Sequence, residues 1–516
     1  MTSRFRINPL LIFVTFFLTP ALTTSCKQEF KREVHYQYYA DYMERQLPDF
    51  STLGEPDAEG VLPDFSLTDM PGSEADHYAV LFTAKFDVAK PETYTFYLTT
   101  DDGSRFFVDG NLLIDDDGAR GGHLTTCTVD LGKGIHDLRL EYFEFDKGQD
   151  VNLMYTTPST PFRNYREPCP DEIPDAMKEQ IRDAYGRYAA WKGDDETVVF
   201  PILTDIHTTG RETWRHIGYT VTADDLFHFD FMANFGDLGV NLQPAGSSII
   251  YSKYIIDRIR EQMSLYKGVF LYVAGNHDWD GGEGTHYSSE MLSDWFQKPS
   301  LEAAGGNLHL TDGQCWCWYD IPAKQTRIFI LNSQATETLG PEYYCYDTPQ
   351  LEWLADRLCE VPDGYNVFVF SHYMPNPTGR WSTSGPVDPR KSTVTLMKML
   401  SDYKARRAGA VKEGTTPASS NVKWDFTAAK GRLAGMLGGD SHVNVVEVCD
   451  GVTYFITQGY GTMRPEWSIP GQKHVWFDYR EELCVDVVAF KPATGEVHTF
   501  RIGAGGAGAD ETWKVE

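Results

Sequence analysis

The segment GVFLYVAGNHDW (residues 268–279) joins an apolar run to a tight polar turn. The run over 269–274 is rich in β-branched and aromatic residues, which is typical of a buried strand. Asn276, His277 and Asp278 then crowd into a turn with side chains that suit a metal site better than packing. A strand that ends in this way predicts an α/β domain with a site at one edge of its sheet.

Four other apolar runs after residue 197 also end in polar, ligand-type residues. These are Asp205 and His207 in VVFPILTDIH, Asp237 in FDFMANFGDLG, His372 in YNVFVFSHY, and Asp440 and His442 in LAGMLGGDSH. Helical stretches such as SIIYSKYIIDRIREQM and TPQLEWLADRL alternate with the runs, which indicates an α/β domain with a buried sheet. Because the carboxyl ends of strands in such sheets meet at one crevice, we expect the five segments to build one site.

The region before residue 160 has a different pattern of apolar and turn residues. Short β-rich runs such as ETYTFYLTTDDGSRFFVDGNLLI alternate with Gly/Asp turns, which predicts an antiparallel β-sandwich or barrel. A Pro-rich connector then leads to DAMKEQIRDAYGRYAAW, whose apolar spacing predicts a linker helix. We therefore expect a multidomain chain, divided into a signal peptide (1–25), a β-sandwich (26–160), a linker with a helix (161–195), an α/β domain (196–505) and a flexible Gly-rich tail (506–516).

The N-terminus has the layout of an export signal. Arg4 and Arg6 precede the run PLLIFVTFFLTPAL, which is too short for a comfortable membrane span, and small residues lead to Cys26. The pattern resembles a bacterial lipoprotein signal, with an ordinary secretory signal as the alternative. We expect export, with lipid on Cys26 anchoring the protein to the outer membrane and the chain facing the periplasm or cell surface.

Charge and cysteine content limit the partners and the compartment. The formal net charge is −28, from 74 acidic and 46 basic residues, and such a surface repels polyanions, so no nucleic-acid partner is expected. The nine cysteines suit an exported protein. Disulfides are possible among the eight cysteines other than Cys26, but the sequence does not determine how they pair. No Cys-x-x-Cys occurs, which argues against a zinc ribbon.

Residues 196 to about 500 resemble a calcineurin-like metallophosphoesterase, because they contain that family's motifs in order: DIH, GDLG, GNHD, SH and GDSH. The resemblance implies a four-layer α/β/β/α sandwich and two divalent metal ions (Mn, Fe, Zn or Mg). It places one metal on Asp205, His207, Asp237 and His442, and the other on Asp237, Asn276, His372 and Asp440. It makes His277 the catalytic residue that assists the leaving group, with Asp278 orienting it, and it implies attack on phosphorus by metal-bound hydroxide.

Two positions depart from the family pattern. Ser371 stands where glycine is usual, a small change in a strand-to-loop turn, and Asp440 stands where the first histidine of a Gly-His-x-His turn is usual. A carboxylate is a competent ligand for divalent metals, but it lowers the net charge of the site by one. We therefore expect a working site that prefers singly charged phosphodiesters. The alternative is that Asp440 points away and leaves the second metal site weak.

The stretch YTFYLTTDDGSRFFVDG makes the N-terminal region resemble the protective-antigen-type (PA-fourteen) β-sandwich. In some sugar-binding members of that family paired aspartates bind calcium, and Asp101 and Asp102 are the matching positions. Adjacent carboxylates suit a hard cation with oxygen ligands. The alternative is a tight turn that uses Asp and Gly for geometry alone.

These observations predict an exported two-metal phosphoesterase that acts on a small-molecule or glycan-linked phosphoester. The loop after His372 contains Arg380, a candidate substrate-binding residue because arginine binds phosphate in bidentate geometry. Two alternatives stay open: a phosphomonoesterase such as a nucleotidase, and a glycan-binding surface protein with a degenerate phosphoesterase domain.

Overall fold

The computed structural model describes residues 32–67, 70, 72, 76–146, 149–165, 169–207, 212–238, 249–282, 285–334, 346–375, 393–411, 421–457, 459 and 483–515. The predicted signal peptide, Cys26 and the candidate substrate ligand Arg380 lie outside these residues. Within the described ranges, none of the helices combines the length and the apolar character that a membrane crossing requires.

The N-terminal domain consists of two antiparallel sheets, as the sequence predicts. Its strands are β1 (Val34–Tyr39), β2 (Ala58–Leu62), β3 (Tyr78–Val88), β4 (Glu92–Asp101), β5 (Ser104–Val108), β6 (Asn111–Asp116), β7 (His123–Leu131), β8 (Gly134–Glu144), β9 (Asp150–Thr157) and β10 (Thr160–Asn164). One sheet has the order β2-β1-β3-β8-β5-β6 and the other β10-β9-β4-β7. In β3 the residues alternate between buried and exposed beyond Leu81, so one face of this strand packs on the core.

The predicted linker helix is α1 (Asp175–Lys192), and it belongs to the α/β domain. Met177, Ile181, Ala184 and Tyr188 recur at helical spacing, are buried, and join a core formed with strands of that domain. The helix ends at Gly193, which has a φ of 57°. The apolar face of α1 therefore covers a sheet and does not merely separate two domains.

The α/β domain contains a six-stranded sheet with mixed strand directions. Its strands are β11 (Val198–Leu203), β12 (Met232–Asn234), β13 (Phe270–Tyr272), β25 (Cys484–Lys491), β26 (Glu496–Gly503) and β27 (Thr512–Lys514). The order is β13-β12-β11-β25-β26-β27, and β11, β12 and β13 run parallel. The prediction of a flexible tail over 506–516 is wrong, because β27 pairs with β26 and buries Trp513 and Val515 in the core.

A second, seven-stranded sheet faces the first. Its strands are β16 (Leu308–Leu310), β17 (Cys317–Ile321), β18 (Thr326–Ile330), β19 (Asn366–Phe370), β22 (Arg432–Gly438), β23 (Val445–Cys449) and β24 (Val452–Ile456). The order is β16-β17-β18-β19-β22-β24-β23, with β18, β19, β22 and β24 parallel. Two short hairpins, β14 (Asp280–Gly282) with β15 (Thr285–His286) and β20 (Ala408–Val411) with β21 (Val422–Asp425), lie outside the large sheets.

Aromatic side chains fill the space between the two sheets. The Phe200 ring stacks on Phe231 with ring centroids 4.4 Å apart, and it also contacts Phe370 of the opposite sheet at 5.6 Å. Burial of such rings is the main source of stability in a core of this kind.

Helices cover the outer faces of both sheets. Beside α1, the described α-helices are α2 (Arg215–Val221), α3 (Asp224–Phe227), α4 (Ile249–Met263), α5 (Ser289–Leu292), α6 (Thr348–Cys359) and α7 (Thr393–Lys404). Residues of α1, α2 and α4 share a core with the first sheet, and residues of α6 and α7 share one with the second. The layers therefore follow the order helix, sheet, sheet, helix, which confirms the predicted four-layer sandwich.

The β-sandwich and the α/β domain are in direct contact. Arg163 of β10 forms an ion pair with the buried carboxylate of Glu212, which follows the first ligand segment of the α/β domain. Tyr97 and Met154 of the sandwich pack against the core that contains α1. Among the described cysteines, Cys127, Cys317, Cys359 and Cys449 have free thiols.

Candidate metal centre

Five strands of the α/β domain deliver polar residues to one place. The parallel strands β11, β12 and β13 end shortly before Asp205, Asp237 and Asn276, and β19 and β22 end shortly before His372 and Asp440. Ligand atoms of these segments lie within 4.8 Å of one another in three overlapping groups. The groups are Asp205 with His207 and His442, His207 with Asp237 and His277, and Asp205 with Asp237 and His372.

The backbone at these positions is left-handed. The residues with positive φ are Asp205 (53°), His207 (42°), Asp237 (51°), Asp440 (66°) and His442 (52°). Side chains other than glycine rarely adopt this conformation, and it concentrates at functional sites where the surrounding fold holds it. Four of these residues, Asp205, His207, Asp237 and His442, also belong to the groups of neighbouring ligand atoms.

Asp237 lies at the centre of the cluster. Its Oδ2 atom is 3.3 Å from Nε2 of His372, 3.7 Å from Nε2 of His207 and 4.0 Å from Nε2 of His277. Burial opposes ionisation of Asp237, but the charge of His372 and its hydrogen bond to Asp237 hold the pKa of the Asp237 carboxyl well below the usual range. An ionised, buried carboxylate among three imidazoles is suited to bridging two cations.

The Asp205 side of the cluster contains buried atoms without a hydrogen-bond partner. These are Oδ1 of Asp205, both ring nitrogens of His207, and Nδ1 of His442. Nε2 of His207 and of His442 lie 3.9 and 3.7 Å from Asp205 Oδ1, beyond hydrogen-bonding distance. Burial lowers the pKa of His207 to about 4, so its ring is neutral near pH 7 and keeps a lone pair for a metal. Unsatisfied buried polar atoms are costly, and a cation would satisfy these.

His372 faces the other side of Asp237. Its Nδ1 atom donates to the carbonyl of Phe235 at 2.6 Å, which turns Nε2 toward Asn276 Oδ1 at 2.9 Å and Asp440 Oδ1 at 3.6 Å. Burial would lower the pKa of His372, but the Asp237 carboxylate raises it well above its ordinary value. A metal at this position would displace the Nε2 proton, as metal ligation by histidine generally requires.

Asp440 points into the cluster. Its Oδ1 atom is near His372, its backbone N–H donates to Asp205 Oδ2 at 3.1 Å, and its side chain is 21% exposed. The substituted turn therefore presents a carboxylate on the His372 side of the centre.

Hydrogen bonds to two carboxylates hold the turn that contains His277. Oδ2 of Asp278 accepts hydrogen bonds from the Tyr272 hydroxyl at 2.7 Å, the Gly275 N–H at 2.9 Å and the Asp237 N–H at 3.1 Å. Asp237 Oδ1 accepts the backbone N–H of His277 at 2.8 Å. Through these bonds Asp278 positions the backbone of the turn. The His277 side chain is 35% exposed, so it remains accessible to a substrate.

Three glycines allow the ligand segments to approach closely. A Cβ atom on Gly275 would lie 2.2 Å from the Asp237 nitrogen, and one on Gly439 would lie 2.7 Å from Asp205 Oδ2. A Cβ on Gly459 would lie 2.4 Å from the Asp205 Cβ atom. The only local signal for Gly459 in the sequence is the glycine-containing segment that follows the apolar run of β24.

A second acidic group lies in the β-sandwich. Asp101 and Asp102, joined by a cis peptide bond, bring carboxylate oxygens within 4.8 Å of Glu144. Glu144 is fully buried, its Oε1 atom has no hydrogen-bond partner, and its Oε2 atom accepts from Tyr142 at 2.9 Å. Burial, together with the charges of Asp102 and Asp101, raises the pKa of Glu144 to about 8. The sequence holds no local signal for Glu144, because only the pairing of β8 with β5 brings it near the turn between β4 and β5.

Comparisons with known proteins support the assignment of the N-terminal region. Residues 39–164 match the family model of the PA14 domain. The anti-sigma-I factor RsgI3 of Acetivibrio thermocellus is 37% identical over 86 residues, which span 16% of this chain and 13% of that protein. The resemblance of the N-terminal region to the protective-antigen-type family is thereby confirmed.

Two solved structures illustrate the similarities. The PA14 sugar-binding domain from an RTX adhesin is 16% identical and covers 26% of this chain and 94% of its own, with a TM-score of 0.23. A dimetal phosphatase from Danio rerio is 13% identical and covers 62% of this chain and 100% of its own, with a TM-score of 0.40. The match to the PA14 family model spans residues 39–164, whereas the sandwich was expected over residues 26–160.

Proposed function

We propose that the α/β domain is a phosphoester hydrolase that uses two divalent cations. The observation that carries the proposal is the set of ligand atoms around Asp237, together with the buried, unpartnered atoms of Asp205 and His207. One cation would be held by Asp205, His207, Asp237 and His442, and the other by Asp237, Asn276, His372 and Asp440. The mixture of imidazole, carboxylate and amide ligands suits Mn, Fe, Zn or Mg.

The residues of the chain have separate roles in the proposed reaction. Two bound divalent cations supply charge neutralisation for a phosphoester and a nucleophile near neutral pH. Asp237 lies between the two ligand groups and keeps them at a fixed separation. His277 is partly exposed, and its backbone bond to Asp237 holds it where it can donate a hydrogen bond or a proton to the ester oxygen.

The charge of the ligand set favours a phosphodiester. Two divalent cations contribute +4 and the ionised Asp205, Asp237 and Asp440 contribute −3, so the net charge is +1. A histidine at position 440 would make it +2. A phosphodiester carries one negative charge and an ionised monoester carries two, so the smaller positive charge selects against the monoester.

The proposal is tested with protein stripped of metal and then reloaded with Mn²⁺. We expect hydrolysis of bis(p-nitrophenyl) phosphate that requires Mn²⁺ and exceeds hydrolysis of p-nitrophenyl phosphate. Asp237→Asn is expected to lower Mn²⁺ affinity and activity by at least about 100-fold, whereas Asp87→Asn, an exposed acid on β3, is expected to change neither. A wild-type protein that neither binds Mn²⁺ nor cleaves either ester would instead support a binding protein with a degenerate hydrolase domain.

A second proposed activity is cation-dependent glycan binding by the PA14 domain. It is supported by the buried, unpartnered Oε1 atom of Glu144 beside Asp101 and Asp102, since such oxygens suit calcium. The cation site is tested by measuring Tb³⁺ binding through Tb³⁺ luminescence and its displacement by Ca²⁺. Glycan binding is tested with a glycan array in the presence and absence of Ca²⁺. Absence of Tb³⁺ binding would leave the turn with a purely structural role.

The location of the protein is proposed from its sequence. Export with lipid on Cys26 would place both domains at the outer membrane or cell surface, in reach of glycan-linked phosphoesters. Cys26→Ser is expected to move the protein from the membrane fraction to the soluble fraction of the exporting cell. Equal membrane association of the wild type and the variant would argue against a lipid anchor.

A further inference from the structure

A buried ion pair lies beneath the metal centre. Arg501 of β26 and Asp486 of β25 are cross-strand partners, and both side chains are fully buried. The guanidinium donates from Nε to Asp486 Oδ1 at 2.7 Å and from Nη2 to Asp486 Oδ2 at 2.9 Å. Burying two charges costs desolvation energy that their attraction only partly offsets, so stability alone does not explain such a pair.

The remaining donors of Arg501 are all used. Nη1 donates to Cys484 Sγ at 3.0 Å and to the carbonyl of Ala504 at 3.1 Å, and Nη2 also donates to Asn444 Oδ1 at 2.8 Å. The guanidinium therefore has a single orientation, set by the two bonds to Asp486. Of these contacts, the one to Asn444 leaves the sheet and reaches the segment that carries Asp440 and His442.

Asp486 makes a matching contact on the other side. Its Oδ2 atom accepts a hydrogen bond from the Thr457 hydroxyl at 2.5 Å, and the Thr457 N–H donates to the carbonyl of Gly438 at 3.0 Å. Thr457 lies two residues before Gly459, which approaches the Asp205 side chain. One ion pair thus holds the segment after His442 and the segment that packs against Asp205.

We propose that Arg501, with Asp486, is a positioning residue for the metal ligands Asp205, Asp440 and His442. This inference rests on the proposed two-metal centre. The ligands are on turns with left-handed backbone, and such turns need support from outside to keep their conformation. The pair supplies that support from the strands β25 and β26, which carry none of the proposed ligands.

The test measures Mn²⁺ affinity by isothermal titration of metal-free protein, independently of catalysis. Arg501→Met with Asp486→Leu removes both buried charges together, so no unpaired charge is left in the core. We expect this double variant to unfold cooperatively and to bind Mn²⁺ about 10- to 100-fold more weakly than the wild type. Arg501→Lys keeps the positive charge but loses the paired guanidinium hydrogen bonds to Asp486. Its Mn²⁺ affinity is expected to lie between those of the wild type and the double variant.

The matched control is the pair Asp320 and Arg327. These residues are also cross-strand partners, and the guanidinium donates twice to the carboxylate at 2.7 Å. Arg327 lies near the start of β18. Ile330, at the other end of β18, pairs with Phe370, which precedes the His372 segment. Arg327→Met with Asp320→Leu is expected to bind Mn²⁺ within twofold of the wild type.

A single variant separates positioning from folding. Asn444→Ala leaves the ion pair intact and removes its bond to the ligand segment, so we expect the same loss of Mn²⁺ affinity with little change in melting temperature. Wild-type Mn²⁺ affinity in Asn444→Ala would overturn the inference, whether or not the double variant folds. If the wild-type protein itself bound no Mn²⁺, the proposed function would fail first, and the two failures are thereby distinguished.

Discussion

The substitution Asp440→His tests whether the charge of the ligand set selects the substrate. The carboxylate of Asp440 faces the centre, 3.6 Å from His372 Nε2, so the change adds one positive charge to the site. A monoester dianion carries one negative charge more than a diester. For a charge separation of about 5 Å and an effective dielectric constant of about 20–40, this difference is worth about 2–3 kcal/mol. The ratio of kcat/KM for diester over monoester should therefore fall by roughly 30- to 150-fold.

The assay compares bis(p-nitrophenyl) phosphate with p-nitrophenyl phosphate at one pH, where both release the same chromophore. Mn²⁺ is kept saturating for both proteins, so that a change in metal affinity does not enter the ratio. Asp87→His, which makes the same change of charge at an exposed position of β3 in the N-terminal domain, is the control and should leave the ratio unchanged. A ratio within threefold of the wild type for Asp440→His would refute the charge argument, even if the variant were active.

Three other perturbations follow from the structure. Gly275→Ala places a Cβ 2.2 Å from the Asp237 nitrogen, so we expect loss of Mn²⁺ binding by titration, whereas Gly121→Ala, with open space around it, should bind normally. Glu144→Gln should abolish any rise in melting temperature that Ca²⁺ produces in the wild type, as measured by calorimetry, because it removes the buried carboxyl group that Ca²⁺ would bind. Gly186→Ala, on the exposed face of α1 with no atom near its Cβ, should stabilise the protein by about 0.5–1 kcal/mol in urea unfolding, and a destabilisation would argue against this helix geometry.

Much of the candidate metal centre was predictable because strand ends are encoded locally. An apolar run followed by a ligand-type residue marks the end of a strand, and parallel strands bring their carboxyl ends to one edge. Asp205, Asp237, Asn276, His372 and His442 could therefore be placed together without knowledge of how the sheets pack. The alternation of β3 and the turns of the N-terminal region likewise indicated an antiparallel sandwich before the strand order was known.

Other features depend on contacts between distant segments. Glu144 joins the Asp101–Asp102 turn only because β8 lies in the sheet next to the turn that follows β4. The segment predicted as a tail contains β27, because it pairs with the edge of β26 and Trp513 is buried in the core between the sheets. Neither sequence segment contains a local signal for its partner.

The sequence by itself determined the two kinds of domain, the ligand segments and the exceptional carboxylate at position 440, because periodicity and turn residues act over a few positions. Tertiary structure alone decided that Asp440 faces His372, that Gly459 approaches Asp205, and that Arg501 reaches Asn444. The physical reason is that the direction of a side chain and the satisfaction of a buried charge depend on which strands become neighbours. That choice is made by burial of the whole core and not by any one segment of the chain.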